Sequence, residues 1–244
     1  MYKEMFTIEL AGVSIGIRPR SDHIKRFCKA YIKEGDPEFT IMAEDGDIEE
    51  ENERATDYLG CGELSEYELE KFWIYRQIAE KMPQRGIFLM HASAIAVDNR
   101  AYLLAGPSGA GKTTQTRMWK KEFGDRMRVI NDDKPLIKTI DEGMLVCGSP
   151  WCGKERWNIN ITAPLEAVFY VHQATENSIR EMTHPESWDA TVNQIYRSKD
   201  AGVMKSTLAF VDRLICEVPV YRLECNREPE SVRIAFEKVN RERD

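Results

Sequence analysis

A glycine-rich segment that ends in a lysine and a threonine carries the clearest chemistry in the sequence. Residues 106–113, Gly-Pro-Ser-Gly-Ala-Gly-Lys-Thr, fit the pattern G-x-x-x-x-G-K-[ST] at every fixed position. Glycines let successive backbone N–H groups turn towards one point, where they bind a polyphosphate at the N-terminus of the following helix. Lys112 adds a charge for the outer phosphates, and the Thr113 hydroxyl is placed to coordinate Mg²⁺.

The segment therefore predicts a binding site for a nucleotide with Mg²⁺. We take ATP and Mg²⁺ as the cofactors, although the motif does not distinguish ATP from GTP. A glycine-rich turn without a nucleotide is the alternative. The residues predicted to bind ATP are Gly106, Pro107, Ser108, Gly109, Ala110, Gly111, Lys112, Thr113 and Thr114.

Two adjacent carboxylates follow the next apolar segment of the chain. Met127-Arg-Val-Ile-Asn131 predicts a strand, and Asp132 and Asp133 come directly after it. In a parallel sheet the carboxyl end of this strand would lie beside the glycine-rich loop. Two such acids can divide the chemistry, because one can hold Mg²⁺ while the other accepts the proton of an incoming hydroxyl. The alternative is a turn or helix cap, since Asp-Asp before Lys134-Pro135 is also typical of a loop.

Together with the earlier segment His91-Ala-Ser-Ala-Ile-Ala-Val97, these motifs resemble a known kinase core. It is the core shared by HPr kinase/phosphorylase and, more distantly, phosphoenolpyruvate carboxykinase. The resemblance covers residues 86–235 in order and spacing. It implies an α/β (mixed α+β) fold with a P-loop-containing HPr kinase/phosphoenolpyruvate carboxykinase-like core, preceded here by a small amino-terminal α+β segment.

The resemblance also implies a role for each reactive side chain. Asp132 would be the general base towards a serine or threonine hydroxyl, and Asp133 would be a carboxylate on the metal side. His91, together with Lys112 of the loop, would lie close to the phosphoryl group. The alternative for His91 is a histidine whose hydrogen bonds are satisfied inside a strand.

A third segment, Gly153-Lys-Glu-Arg-Trp157, stands near the place where HPr kinases carry a Glu-x-Arg-Gly signature. The resemblance implies Glu155 as a metal ligand. Lys154 and Arg156 are candidate contacts to phosphate or substrate. A surface turn with an ordinary charge cluster is the alternative interpretation. The departure from the signature leaves both the substrate and any phosphorolysis open.

Changes in the hydrophobic period predict the elements that position these motifs. Before the loop, a capping-box-like Ser65-x-x-Glu68 predicts a helix that Pro83 stops, and strand patterns begin at Gly86. This change places a domain boundary after residue 84, between an amino-terminal α+β lobe (1–84) and a catalytic core (85–244). The other predicted elements are strands within 6–17, 39–42, 86–97, 101–105, 159–171 and 219–225, and helices at 21–32, 112–123, 204–217 and 230–241.

Composition limits the classes of function. The chain has 244 residues, 42% hydrophobic and 31% charged, so a disordered, collagen-like or membrane-spanning protein is not expected. The net charge of −7 disfavours nucleic acid and anionic membranes as partners. No apolar segment resembles a signal peptide or a membrane helix, so we expect a cytoplasmic protein. The six cysteines lack C-x₂-C spacing and are interpreted as free thiols.

These observations leave three hypotheses for the function. The first is an ATP-dependent phosphotransferase that transfers the γ-phosphoryl group to a hydroxyl of a protein or peptide. The second is a kinase for a small metabolite, because the sequence shows no protein-docking surface. The third is a non-catalytic ATP-binding regulator whose loops order around the nucleotide. The partners predicted are the nucleotide and the hydroxyl acceptor, and a homo-oligomer is left open.

Overall fold

The computed structural model describes residues 2–59 and 64–241. The chain divides into two units, Met1–Met82 and Pro83–Asp244, and the predicted boundary after residue 84 lies close to this division. In the described residues no helix is long and apolar enough to cross a membrane. Each unit is described by itself below.

The first unit combines a small sheet with three helices. Its elements are β1 (Phe6–Leu10), β2 (Val13–Ile17), α1 (Asp22–Phe27), β3 (Phe39–Ile41), α2 (Asp45–Leu59) and α3 (Glu66–Lys81). A two-residue turn joins β1 to β2, in which Ala11 and Gly12 both have positive φ, as the primed turns of antiparallel hairpins require. β3 pairs with β2 in parallel. The mixed α+β character predicted for this segment is present.

The local signals for helices in this unit act as predicted, with one error. Ser65 and Glu68 form a capping box at the start of α3, and the Ser21 hydroxyl accepts a hydrogen bond from the His23 N–H at the start of α1. The predicted helix from Ser21 to Ile32 was wrong beyond Phe27. A short 3₁₀ turn follows there, and it leaves Ile32 41% exposed instead of on the buried face.

The second unit consists of a mixed sheet with helices on both faces. Its strands are β4 (Ile87–Leu89), β5 (Ala92–Val97), β6 (Arg100–Ala105), β7 (Met127–Asn131), β8 (Leu136–Thr139), β9 (Met144–Cys147), β10 (Thr162–Gln173), β11 (Ser178–Glu181) and β12 (Val220–Cys225). Its helices are α4 (Lys112–Phe123), α5 (His184–Val192), α6 (Ala201–Glu217) and α7 (Glu230–Arg241). The predicted mixed α/β fold is confirmed.

The strands run in the order β4-β8-β9-β10-β6-β5-β7, and β12 pairs with β10 and with β11. β10 is parallel to β6 and to β12, whereas β5 is antiparallel to both of its neighbours. The sequence analysis predicted none of β8, β9, β11 and α5, which are all short. The other predicted strands and helices of this unit lie within a few residues of their observed bounds.

Alternating side chains of the central strands form two cores, one on each face of the sheet. In β6, Leu103 points to the core that also contains Phe210, Val211 and Leu214 of α6. Its neighbours Tyr102 and Leu104 point to the other core, with Trp119 of α4 and three apolar residues of α7. This period of two is that of a strand buried on both faces. Both faces of β6 are therefore packed against helices.

The order of strands decides which residues meet at the carboxyl end of β6. β6 and β7 run in the same direction, with β5 antiparallel between them, so the ends of β6 and β7 share an edge with the start of β5. Ala92 pairs with Ala105, and Ala94 pairs with Asn131. His91, Gly106 and Asp132 are thus brought to one edge. The carboxyl end of β7 therefore lies at the same edge as the glycine-rich loop, although the antiparallel β5 separates β7 from β6.

Candidate active site

The glycine-rich loop connects β6 to α4, the strand–loop–helix context that the motif requires. Gly106, Gly109 and Gly111 have φ values of 137°, 82° and 109°, a region that favours glycine. A Cβ atom on Gly106 would lie 3.1 Å from the Ala110 Cβ and 3.2 Å from the Val171 carbonyl oxygen of β10. The turn therefore depends on glycine both for its backbone angles and for its close approach to β10.

Lys112, the first residue of α4, folds back onto the loop. Its Nζ donates to the carbonyl oxygens of Gly106, at 2.7 Å, and Pro107, at 3.1 Å. Burial lowers the pKa of Lys112; the charge of Lys134 adds to this effect and that of Asp133 opposes it. The ammonium group is therefore held at the loop, where it interacts electrostatically with Asp133.

Buried hydrogen bonds attach the first turns of α4 to the sheet. The Thr116 hydroxyl donates to the Lys112 carbonyl at 3.0 Å and lies 2.7 Å from the Ser93 hydroxyl of β5. Thr113 and Thr114 precede it in the helix and are half-buried. The N-terminus of α4, with its partial positive charge, is therefore fixed relative to β5 and β6.

Asn131, which is fully buried at the end of β7, organises the acid pair. Its Oδ1 accepts from the N–H groups of Asp133, at 2.9 Å, and Lys134, at 2.6 Å. Its Nδ2 donates to the carbonyl oxygens of Ser149 and Trp151, both at 3.0 Å. One side chain thus joins the turn that carries both acids to the segment that precedes Lys154.

The Asp133 carboxylate faces cationic and polar side chains. His91 Nε2 lies 3.2 Å from Asp133 Oδ1, and Lys134 Nζ lies 3.6 Å from Oδ2. Burial by itself would raise the pKa of Asp133, but the hydrogen bond from His91 and the charges of Lys134 and Lys112 outweigh it, so the pKa lies below its ordinary value. Asp133 is therefore held as a carboxylate on the loop side of the site.

The Asp132 carboxylate faces the backbone of the segment between Trp151 and Asn158. Its Oδ1 accepts from the Gly153 N–H at 2.6 Å, and its Oδ2 accepts weakly from the Trp157 N–H at 3.5 Å. A Cβ on Gly153 would lie 3.2 Å from Asp132 Oδ2, so glycine allows this approach. Burial raises the pKa of Asp132 despite these hydrogen bonds, and Asp133 adds to the rise.

Gln194, which follows α5 and is buried, holds His91 from the side opposite Asp133. In the orientation that satisfies its hydrogen bonds, its side-chain nitrogen lies 3.2 Å from His91 Nδ1 and 3.1 Å from the Gly106 carbonyl. The backbone carbonyl of Gln194 accepts from the backbone N–H of His91 at 2.7 Å. Because Nδ1 accepts from Gln194, the hydrogen-bond pattern assigns the imidazole proton to Nε2, which donates to Asp133.

A turn beyond Asp132 carries three exposed residues, Lys154, Glu155 and Arg156. The Arg156 N–H donates to the Gly153 carbonyl at 3.1 Å, and Arg156 adopts a φ of 57°, which is uncommon for a residue with a side chain. Glu155 pairs with Arg117 of α4 at 2.8 Å, and Arg117 also lies over the Trp157 ring. This turn is therefore linked to α4, the helix that begins with Lys112.

The structure brings His91, Lys112, Asp132 and Asp133 to one edge of the sheet. It places Glu155 in an ion pair with Arg117 and leaves Lys154 and Arg156 on the surface. Two residues of the site, Asn131 and Gln194, were not singled out from the sequence. Asn131 ends a predicted strand immediately before two acids, a position where a buried amide could have been suspected. Gln194 lies in a segment without any motif.

The fold and the site define a mixed α/β protein with a glycine-rich loop between β6 and α4. Within this class, the chain belongs to the family described as "SynChlorMet cassette protein ScmC", which matches residues 68–229. No curated protein matches the chain in sequence.

Among solved structures, the chain is similar to the Hpr(Ser) kinase/phosphatase from Coxiella burnetii. The two share 9% sequence identity with a TM-score of 0.35, over 63% of this chain and 98% of that one.

Proposed function

We propose that the chain is an ATP- and Mg²⁺-dependent kinase that transfers the γ-phosphoryl group to a hydroxyl, that of a serine or threonine in a protein or peptide. The observation that carries the proposal is the convergence of Lys112, His91 and the acid pair at the end of β6. Phosphoryl transfer needs charge neutralisation and positioning, and these groups supply both.

The two acids divide the site into two sides. On the phosphate side, Asp133 interacts electrostatically with Lys112 and accepts from His91. On the acceptor side, Asp132 faces the segment that carries Lys154 and Arg156. This arrangement supports Asp133 as the carboxylate of the metal side and Asp132 as the base towards the hydroxyl. The raised pKa of Asp132 also makes it a better proton acceptor than an ordinary aspartate.

The donor set suits Mg²⁺, which prefers oxygen ligands. Thr113, in the first turn of α4, and Asp133 would hold the ion, whose charge would offset that of the phosphates. Glu155 is the third candidate ligand, but its carboxylate is already paired with Arg117. Glu155 could reach a metal only by giving up that partner. We therefore propose it as the weakest of the three candidate ligands.

In the proposed reaction the acceptor hydroxyl gives its proton to Asp132 as its oxygen forms a bond to the γ-phosphorus. The bond between the γ-phosphorus and the β–γ bridging oxygen breaks, and ADP leaves with that electron pair. Lys112 and the loop N–H groups stabilise the negative charge on the phosphates. His91, held between Gln194 and Asp133, positions the Asp133 carboxylate.

The exposure of Lys154 and Arg156 favours a macromolecular acceptor over a small metabolite, because a macromolecule can contact side chains on the protein surface. Two cations at this turn would favour a serine or threonine with acidic neighbours. The family is described as a cassette protein, so proteins and peptides encoded in the same cassette are the first acceptors to test.

The test is transfer of label from γ-labelled ATP with Mg²⁺ to these acceptors, read by mass and by radioactivity. Wild type should transfer label. Asp132→Asn should lose transfer while retaining Mg·ATP binding, and Asp133→Asn should weaken Mg·ATP binding itself. The two variants are matched, because each removes one charge from neighbouring positions.

Two results would contradict the proposal. Transfer by Asp132→Asn at the wild-type rate would exclude this residue as the base. Tight Mg·ATP binding without transfer to any protein, peptide or metabolite hydroxyl would instead support the ATP-binding regulator.

A further inference from the structure

Three side chains with metal-ligand chemistry meet on the surface at the start of α5, in a part of the molecule that the proposed function does not use. They are His184 of α5 and Asp212 and Cys216 of α6. One ligand atom from each lies within 4.8 Å of the other two. We propose that these three residues form a binding site for a divalent transition metal, with Zn²⁺ as the best-matched ion.

The backbone positions of the three ligands are fixed by the fold. Asp212 and Cys216 are four residues apart on α6, so they lie on the same face, one turn apart. Val211 directly precedes Asp212, and Leu214 lies between the two ligands. Both are fully buried and hold this part of α6 on the sheet. Both ligands therefore point away from the core on a helix that cannot easily rotate.

His184 is fixed in a similar way as the first residue of α5. Thr183 and Glu186 form a capping box around it, and Pro185 follows it in the first turn. The buried hydroxyls of Thr191, in the same helix, and Tyr170, in β10, lie 2.8 Å apart and attach α5 to the sheet. His184 Nε2 lies 3.6 Å from Asp212 Oδ1, so the two helices already present their ligands to each other.

The ligand types select the ion. An imidazole nitrogen, a carboxylate oxygen and a thiolate sulfur are the donors that Zn²⁺ takes, whereas Mg²⁺ and Ca²⁺ prefer oxygen alone. On binding, the Cys216 thiol gives its proton to solvent as the sulfur–metal bond forms. The aspartate and the thiolate then balance the two charges of the ion. Three protein ligands leave a fourth position of the tetrahedron open to water.

The nearest basic residue along α6 is directed away from the three ligands. Arg213, the basic residue next to Asp212, is directed elsewhere, because its Nε pairs with Glu217 at 2.7 Å and its Nη2 donates to the Ile140 carbonyl. Cys216 is also the one exposed thiol among the cysteines that the structure describes: Cys28, Cys147 and Cys225 are buried, and Cys152 is half-buried. It is therefore available to a metal without any change of fold.

The experiment is a titration of the metal-free full chain with Co²⁺, followed by competition with Zn²⁺. A cobalt–thiolate bond gives a charge-transfer band in the near ultraviolet, so the band reports on sulfur coordination and not on a site of oxygen ligands such as that for Mg²⁺. Wild type should show the band, and Zn²⁺ should remove it. His184→Gln and Asp212→Asn should each weaken Zn²⁺ binding by at least about tenfold.

Cysteine variants identify the thiol. Cys216→Ser should abolish the band, whereas the matched controls Cys152→Ser and Cys61→Ser should retain it. Zn²⁺ should also protect Cys216 from alkylation, as peptide mass mapping can show. The three ligand variants should unfold at the wild-type temperature without metal, because all three side chains are exposed. A band that survives in Cys216→Ser, or no band in wild type, would overturn the proposal.

Discussion

Asp132 and Asp133 are adjacent in the sequence, but their carboxylates occupy different surroundings. Asp133 faces side chains, since His91 donates to it and Lys134 and Lys112 act on it through their charges. Asp132 faces the backbone N–H groups of Gly153 and Trp157. The pKa of Asp133 is lowered and that of Asp132 is raised. Two identical groups thus acquire different chemistry because they face opposite sides of one turn.

This difference shows how a site can separate a carboxylate that stays charged from one that takes a proton. Cationic side chains outweigh the effect of burial at Asp133, whereas two backbone hydrogen bonds do not outweigh it at Asp132. Asn131 holds the turn between them, so the separation depends on a third, uncharged residue. Variants on each side, and variants of the residues that keep the sides apart, test this separation.

The largest effect is expected at Lys112, the lysine on the Asp133 side. Lys112→Met removes the ammonium group at the loop and should lower label transfer by at least about a hundredfold, with weaker Mg·ATP binding. The matched change Lys154→Met, on the Asp132 side, should leave Mg·ATP binding intact and raise the KM for the acceptor. Nucleotide titration and transfer kinetics distinguish the two. Equal loss of nucleotide binding in both variants would show that the site has no separate sides.

Asn131→Ala should lower the free energy of unfolding by about 3 kcal/mol, because it leaves several buried backbone groups without their partner. Asn193→Ala is the matched control. It removes one exposed hydrogen bond to the Asp189 carbonyl and should change the free energy by about 0.5 kcal/mol or less. Denaturant unfolding of both variants checks this prediction. A small effect at Asn131 would mean that other contacts hold the acid turn.

The same substitution at the two acids should affect stability differently. The lowered pKa of Asp133 means that its ionised form stabilises the native state at neutral pH, and this contribution is lost as pH falls below about 3.9 through the lowered native pKa. The raised pKa of Asp132 means that its ionised form is disfavoured as pH rises from about 3.9 through the raised native value.

At neutral pH, Asp133→Asn should therefore lower the free energy of unfolding by about 1 kcal/mol, and Asp132→Asn should leave it equal or slightly higher. The asparagine oxygen can still accept from the Gly153 N–H, which makes the second variant a fair comparison. Denaturation at neutral pH and near pH 3 measures both, and the difference should shrink at the lower pH. Shifts in the same direction would contradict the assignment.

The smallest effect on transfer is expected at two glutamines that each hold a carbonyl of the loop. Gln194→Met removes the donor to His91 Nδ1 and Gly106 and should lower kcat for transfer by about tenfold, because the orientation of His91 towards Asp133 is lost. Gln173→Met removes an exposed hydrogen bond to the Gly109 carbonyl and should have a smaller effect. Transfer kinetics at saturating ATP compare the two. Equal effects would show that Gln194 acts only on the loop.

Some parts of the fold could be predicted because they depend on near neighbours in the sequence. The capping box of Ser65 and Glu68 is such a local pattern, and it is present. The predicted bounds of the helices at 112–123 and 230–241 equal the observed bounds of α4 and α7. The error at Ile32 arose because a helical period continued past Phe27, where the backbone turns into a 3₁₀ segment.

The sequence by itself determined the loop from Gly106 to Thr113, because its glycines, its lysine and the helix that follows are contiguous. Only the tertiary structure decided what faces that loop. The antiparallel β5 brings His91 between the ends of β6 and β7, and the packing of α5 brings Gln194 to His91 and His184 to α6. These contacts join residues far apart in the chain, and strand order and helix packing, which no local pattern encodes, set them.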